Sequence, residues 1–164
     1  MRKTQGRTKR RTKRRTNKRT NKRTKRILSR KIPKKYTRRL SRKDQKKQLT
    51  NIRKAIRSYK KGVYVDRPKL KSYKQKKSQW VTKFEKKYGT DCKSYKDISK
   101  KTGIPVKALQ AVVKKGKGAY YSSGSRPNQT ATSWGKARMY SYIMGGPTRK
   151  YDKHITDKYK VQLN

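Results

Sequence analysis

Ser94-Tyr-Lys-Asp97-Ile98-Ser99-Lys-Lys-Thr-Gly103-Ile104-Pro105-Val-Lys107-Ala-Leu109-Gln110-Ala-Val112-Val-Lys114-Lys115 decides the fold. It reads as helix, tight turn, helix. Ser94 offers an N-cap oxygen and Asp97 puts negative charge in the first turn, where the helix dipole favours it. Gly103 supplies the turn, and Pro105 stands where a helix start tolerates a missing N–H. Ile98, Ile104, Leu109 and Val112 form the shared core of the two helices, while Lys107, Gln110, Lys114 and Lys115 point outward. Ser99 lies four residues before Gly103, with Leu109 and Val112 six and nine after it, which are the packing positions of a helix-turn-helix. In that geometry the second helix, about 105–115, faces a major groove, with Gln110 suited to base edges and the lysines to phosphates. A two-helix corner is also ordinary architecture, and packing is the preferred reading.

Outward from this corner the pattern is mainly helical. Leu49, Ile52, Ile56 and Tyr59 predict a helix over 44–61 stopped by Gly62; Tyr73, Trp80, Phe84 and Tyr88 predict another over 72–88. Residues 116–130, rich in Gly and Ser, read as a loop, followed by a helix over about 131–144 that Gly145-Gly146-Pro147 breaks. Val63-Tyr64-Val65 and the alternation Tyr159, Val161, Leu163 are strand candidates that would form one short two-stranded β pair. The fold class is thus a small, mainly α domain with a helix-turn-helix-like corner, preceded by a long basic arm. The domain spans 44–164 and the arm 1–43.

The arm is a four-residue repeat. Threonine recurs at Thr4, Thr8, Thr12, Thr16, Thr20 and Thr24, and the first 26 residues hold 15 Lys or Arg and no acid. Such a segment buries nothing and repels itself, so its stable surroundings are a dense array of negative charge. Extended at roughly 3.4 Å per residue, it carries a positive charge about every 6 Å, comparable with phosphate spacing along one strand. The candidate polyanion contacts are Arg2, Lys3, Arg7, Lys9, Arg10, Arg11, Lys13, Arg14, Arg15, Lys18, Arg19, Lys22, Arg23, Lys25 and Arg26, joined on the body by Lys107, Gln110, Lys114, Lys115 and Arg126. From Ile27 to Leu40 scattered apolar residues, Tyr36 and Leu40 among them, can fasten the arm to a protein surface as it leaves the body.

The body is basic too. Of 55 Lys+Arg, 23 lie in residues 1–43 with no acid, and the remaining 32 face all 7 acids, for a net charge of +48. Charge of this size predicts avid, salt-sensitive binding to polyanions. Catalysis finds little support: one His (His154) and one Cys (Cys92) form at most a formal dyad, and no His/Cys/Asp cluster has metal-ligand spacing. No catalytic residue, metal or cofactor is assigned. Tyr120, Tyr121, Arg126 and Trp134 form an aromatic-plus-basic set that either stacks on bases or holds the loop on the last helix; the second is preferred, because Trp134 sits at core spacing. A single cysteine fits a reducing compartment, and no apolar run is long enough to span a bilayer.

Four runs, Ile98 to Leu109, Gly116-Lys-Gly-Ala-Tyr120, Ser123-Gly-Ser-Arg-Pro-Asn-Gln-Thr130, and Trp134 to Ser141, resemble an uncharacterised family of small basic domains. Those domains occur in large double-stranded DNA viruses of algae and protists, and in some phages. The resemblance covers about residues 94–154 and brings no catalytic residues. It implies a viral origin and a non-enzymatic structural role in the particle, as a minor capsid or internal protein. The arm is expected to bind genome DNA or an acidic capsid surface, while the compact domain docks on capsid proteins. The expected location is the virion, and the host cytoplasm or nucleus during assembly. The alternatives are a nucleic-acid-binding protein outside the shell, either DNA-condensing or a helix-turn-helix regulator, and a ribosomal or ribonucleoprotein component.

Overall fold

The computed structural model describes residues 32–92 and 94–162. The chain divides after Pro33, and every described helix belongs to the unit Lys34–Asn164. A 3-10 turn at Lys34–Tyr36 precedes seven α-helices: α1 (Arg42–Tyr59), α2 (Gln79–Tyr88), α3 (Tyr95–Thr102), α4 (Val106–Ser123), α5 (Ala131–Ile143), α6 (Thr148–Tyr151) and α7 (Lys153–Lys158). Among the described residues every regular element is helical, in keeping with the expected mainly α class.

Local chemistry sets most helix ends. The Ser41 hydroxyl accepts from the Asp44 N–H to start α1, and Ser94 does the same from Asp97 for α3. Gly103 ends α3 with φ 70°, a left-handed conformation that costs glycine little. Thr130 and Ser133 exchange side-chain and backbone hydrogen bonds in a capping box at the start of α5. Pro105 stands one residue before α4, at its N-cap.

Helix α4 is the centre of the domain, packed against α1, α3, α5 and α7. Its buried residues Leu109, Val112, Val113, Gly116 and Tyr120 recur at helical spacing. They join Phe84, Ile98, Ile104, Met139, Tyr142 and Ile155 in the interior. The four core residues of the α3–α4 corner, Ile98, Ile104, Leu109 and Val112, are all buried. Ahead of α1, Tyr36 and Leu40 are buried too; the Tyr36 ring meets Trp134 edge-on at 5.9 Å.

Several expectations change. Helix α4 runs through the expected loop at 116–123, because Gly116 is a packing residue: a Cβ there would stand 2.7 Å from Gly135 Cα of α5. The helix expected over 72–88 begins only at Gln79; residues 72–78 supply just one apolar side chain, Tyr73, to pay for ordering. Among the described residues there is no strand, so the β pair is not formed. Both strand candidates are instead tails of helix stops. Gly62 is left-handed, and the N–H groups of Gly62 and Val63 return to the carbonyls of Tyr59 and Ser58. At the end of α7, Lys160 is left-handed and the N–H groups of Lys160 and Val161 return to Asp157 and Thr156. Both are Schellman closures, which place an apolar residue just past the stop. Leu163 lies outside the described residues.

Candidate nucleic-acid interface

With four helices around it, α4 keeps one strip open. Lys107, Gln110, Lys114 and Lys117 are all exposed, and their three- and four-residue spacing sets them in a row along the helix. The row ends at half-buried Tyr121. From 107 to 121 it spans about 21 Å at the helical rise. Arg126, on the loop after α4, is also exposed. The arm residues from Arg2 to Arg26 lie outside the described residues.

Lys115 has a different position from its neighbours in the row. Its Nζ sits 2.8 Å from Asp152 Oδ1, 2.9 Å from the Tyr151 carbonyl, and beside the His154 ring at 3.3–3.4 Å. Arg138 grips the same carboxylate with two hydrogen bonds of 2.8 Å. Asp152 is fully buried. Burial works to raise its pKa, but the hydrogen bonds and charges of Arg138 and Lys115 prevail and hold the carboxyl below its ordinary value. Two cations meet one anion here, so the site stays positive.

This ionic centre forms one wall of an open groove of about 840 Å³ between α4 and α7. Ala111, Gly118 and Ala119 line it with small side chains, Lys114, Lys115 and Lys158 bring charge, and Tyr59, Tyr151 and Tyr159 bring rings. Tyr59 also belongs to an aromatic cluster: its ring lies nearly parallel to Tyr121 at 6.2 Å, and Tyr64 meets both edge-on, at 5.9 and 4.9 Å. Tyr64 is 66% exposed and Val63 54%.

The aromatic-plus-basic set expected at Tyr120, Tyr121, Arg126 and Trp134 is split by the fold. Tyr120 is fully buried; its hydroxyl donates to the Gln129 carbonyl and accepts from the Arg67 N–H. Trp134 is half-buried beside Tyr36. Tyr121 faces Tyr59 and Tyr64, two tyrosines that the sequence assigned to a helix face and a strand.

Most of the run Ser123 to Thr130 is bracing. Gly124 has a positive φ of 95° and stands against Ile52 and Tyr36; Ser125 and Pro127 are fully buried. Ser125 accepts from Arg67 Nε, and its carbonyl accepts from Gln48. The Asn128 amide pairs with both the N–H and the carbonyl of Leu70. The groove residues Tyr59, Arg138, Tyr151, Lys158 and Tyr159 escaped sequence reasoning, since only the return of α7 onto α4 assembles them. Cys92 is buried beside the core, its thiol pKa raised by burial, and His154 is exposed next to Lys115. Among the described residues no three potential ligands gather to hold a metal ion, and no helix is long and apolar enough to cross a membrane.

No curated protein and no solved structure matches the chain. A family model does match, and it spans residues 33–160, from the turn that carries Tyr36 to the closure of α7. Over that span, which takes in every described helix, the chain belongs to the family of unknown function DUF5824.

Proposed function

We propose that this protein is a non-enzymatic structural protein of a large DNA virus particle that binds polyanions, duplex DNA of the genome foremost. The observation that carries the reading is where the charges go. Of the seven acids, Asp152 is paired with Arg138 and Lys115 and Glu85 with Lys77, while Asp44, Asp97 and Asp66 keep their charge and hydrogen-bond the hydroxyls of Ser72, Ser94 and Tyr121. Lysines, by contrast, dominate the open row of α4. The body thus presents a positive surface of its own, in series with an arm that holds no acid. Such a surface binds phosphates without reading sequence and loses affinity with salt. The viral setting comes from the resemblance of residues 94–154, and an acidic capsid surface is the other polyanion available there.

Binding of the full chain to duplex DNA over a salt series tests this. If all 15 arm charges between Arg2 and Arg26 engage phosphates, log K falls with log[salt] with a slope of about −13, and body contacts steepen it. A slope near zero, or absence of the protein from purified particles, overturns the reading.

A helix-turn-helix regulator is the second reading, favoured by the well-formed α3–α4 corner and exposed Gln110. Footprinting separates the two: uniform protection means a structural role, and a discrete site abolished by Gln110→Ala means a regulator.

A further inference from the structure

We propose that the tyrosine cluster and the α4–α7 groove form one path for single-stranded DNA. Tyr64, Tyr121 and Tyr59 stack unpaired bases, while Lys114, Lys115 and Lys158 hold phosphates. The inference rests on the polyanion reading above and adds, beside the phosphate contacts that serve a duplex, a place for a strand whose bases are free.

Exposure comes first. A small helical domain with few apolar residues has reason to bury rings, yet Tyr64 stays 66% exposed beside Val63 at 54%. Tyr64 is not a loose side chain, because it packs edge-on against two other rings. A ring held this way is already ordered, so stacking a base on it loses little side-chain entropy. Asp66 accepts from the Tyr121 hydroxyl at 3.4 Å and so helps fix that ring.

Continuity comes second. Tyr59 is at once a member of the cluster and a lining residue of the groove, so rings and lysines adjoin without a gap. The groove is large enough for a nucleotide-sized group. Its small lining residues let a ligand approach the backbone of α4 at Gly118.

Chemistry decides the form of the strand. A duplex hides the faces of its bases, so exposed tyrosines add nothing to its phosphate contacts. A single strand presents a π-face at every base, and alternating ring and lysine contacts are how sequence-tolerant single-strand binding works.

The test uses the full chain with three labelled ligands of equal length: oligothymidylate, an abasic oligomer with the same phosphates, and a duplex. Fluorescence anisotropy is read at rising salt, where phosphate contacts weaken and stacking persists. The expected result is oligothymidylate binding about tenfold tighter than the abasic oligomer. Tyr64→Ala, confirmed folded by circular dichroism, removes most of that preference. Lys158→Ala weakens both ligands together and leaves the preference intact. Equal affinities for the two oligomers in the unaltered chain, or a preference that survives Tyr64→Ala, overturn the single-strand path. If all three ligands bind tightly and equally, only this inference falls. If none binds even at low salt, the polyanion reading falls with it.

Discussion

The seam between α4 and α5 and the segments around it are held by opposite means. The seam is a matter of shape. Gly116 and Gly135 face each other so closely that a side chain on either meets backbone, with Val113 and Met139 buried alongside. The outlying segments, 60–78 and 144–162, bury few large side chains and are held by polar contacts. Arg67 donates to Asn51, Ser125 and the Tyr120 carbonyl while its guanidinium lies 4.6 Å from the Tyr120 ring centre. Asp152 ties α6 and α7 to Lys115 and Arg138. A chain this rich in charge has too few apolar residues to close every surface by packing. It fastens its long connections with buried polar groups, and those groups are where single substitutions act most strongly.

The largest effect is expected at Asp152. Asp152→Ala leaves Arg138 and Lys115 facing each other with no anion between them. Leaving a fully buried charge unpaired costs about 3–5 kcal/mol; Lys115 and Arg138 are 37% and 21% exposed and can take up water, so about 2–3 kcal/mol is expected. Thermal unfolding followed by circular dichroism measures it, and a change below about 1 kcal/mol would make the contact equivalent to a surface pair. Acid separates the charge from the packing. The Asp152 pKa is lowered in the folded state, so its contribution is complete above the unfolded value, about 3.9, and is lost as pH falls through the lower folded value. Asp44 is lowered as well, by hydrogen bonds from Ser72. The difference between the unaltered chain and Asp152→Asn therefore isolates the buried carboxylate: the two stability curves begin to approach each other below about pH 4 and meet only below the lower folded value.

Asp152 also shows why the site was only partly legible. The row Lys107, Gln110, Lys114 depends on the period of one helix, and one helix is readable from sequence. The groove depends on α7 returning to α4, and nothing local in Lys153–Lys158 announces that. The start of α3 was legible because Ser94 caps it; Ser41 and Thr130 cap α1 and α5 in the same way, but no such signal was read there and α1 begins two residues before its expected start. Errors fell where one residue type serves two purposes. Gly116 reads as a breaker when only its backbone freedom is considered, but its missing side chain is what α5 needs. Val63 and Val161 read as strand residues through a short alternation, yet each is the residue that follows a Schellman stop. Three alternating positions cannot distinguish those cases; a partner strand could, and none is present among the described residues.

The two glycines of α4 break the comparison on the other side, with an intermediate effect. Alanine is favoured over glycine within a helix by about 1 kcal/mol. At Gly118 the nearest atom to an added Cβ is the Tyr59 hydroxyl at 3.4 Å, an ordinary contact. Gly118→Ala should therefore raise stability by up to about 1 kcal/mol. At Gly116 the added Cβ meets Gly135 Cα at 2.7 Å, and backbone cannot turn aside. Overpacking of that kind costs about 1–3 kcal/mol, enough to outweigh the propensity gain. Opposite signs at two glycines half a turn apart, read from denaturant midpoints at unchanged m-value, would establish the seam as steric. Two stabilising changes would mean that α4 and α5 separate freely.

The smallest effect concerns Asn128, where the polar fastening can be divided into parts. Its side chain accepts from the Leu70 N–H at 2.8 Å and donates to the Leu70 carbonyl at 3.0 Å, so one amide closes both groups of a backbone that has no strand partner. Its own backbone is left-handed, with φ 55°. Asn128→Gly removes these two hydrogen bonds, and a longer third to the Tyr73 carbonyl at 3.5 Å, and keeps the conformation accessible. Because the site is only part-buried and water can replace some of what is lost, about 1 kcal/mol is expected. Asn128→Ala removes the same bonds and adds the left-handed cost of a Cβ, about 1 kcal/mol more. Hydrogen exchange distinguishes this from general destabilisation. In Asn128→Gly the Leu70 amide should exchange faster while amides of α4, such as Val112 and Val113, slow down or speed up only with global stability. Faster exchange throughout α4 in equal measure would mean that segment 60–78 and the helical seam unfold as one unit, and that polar and steric fastening here are not separable.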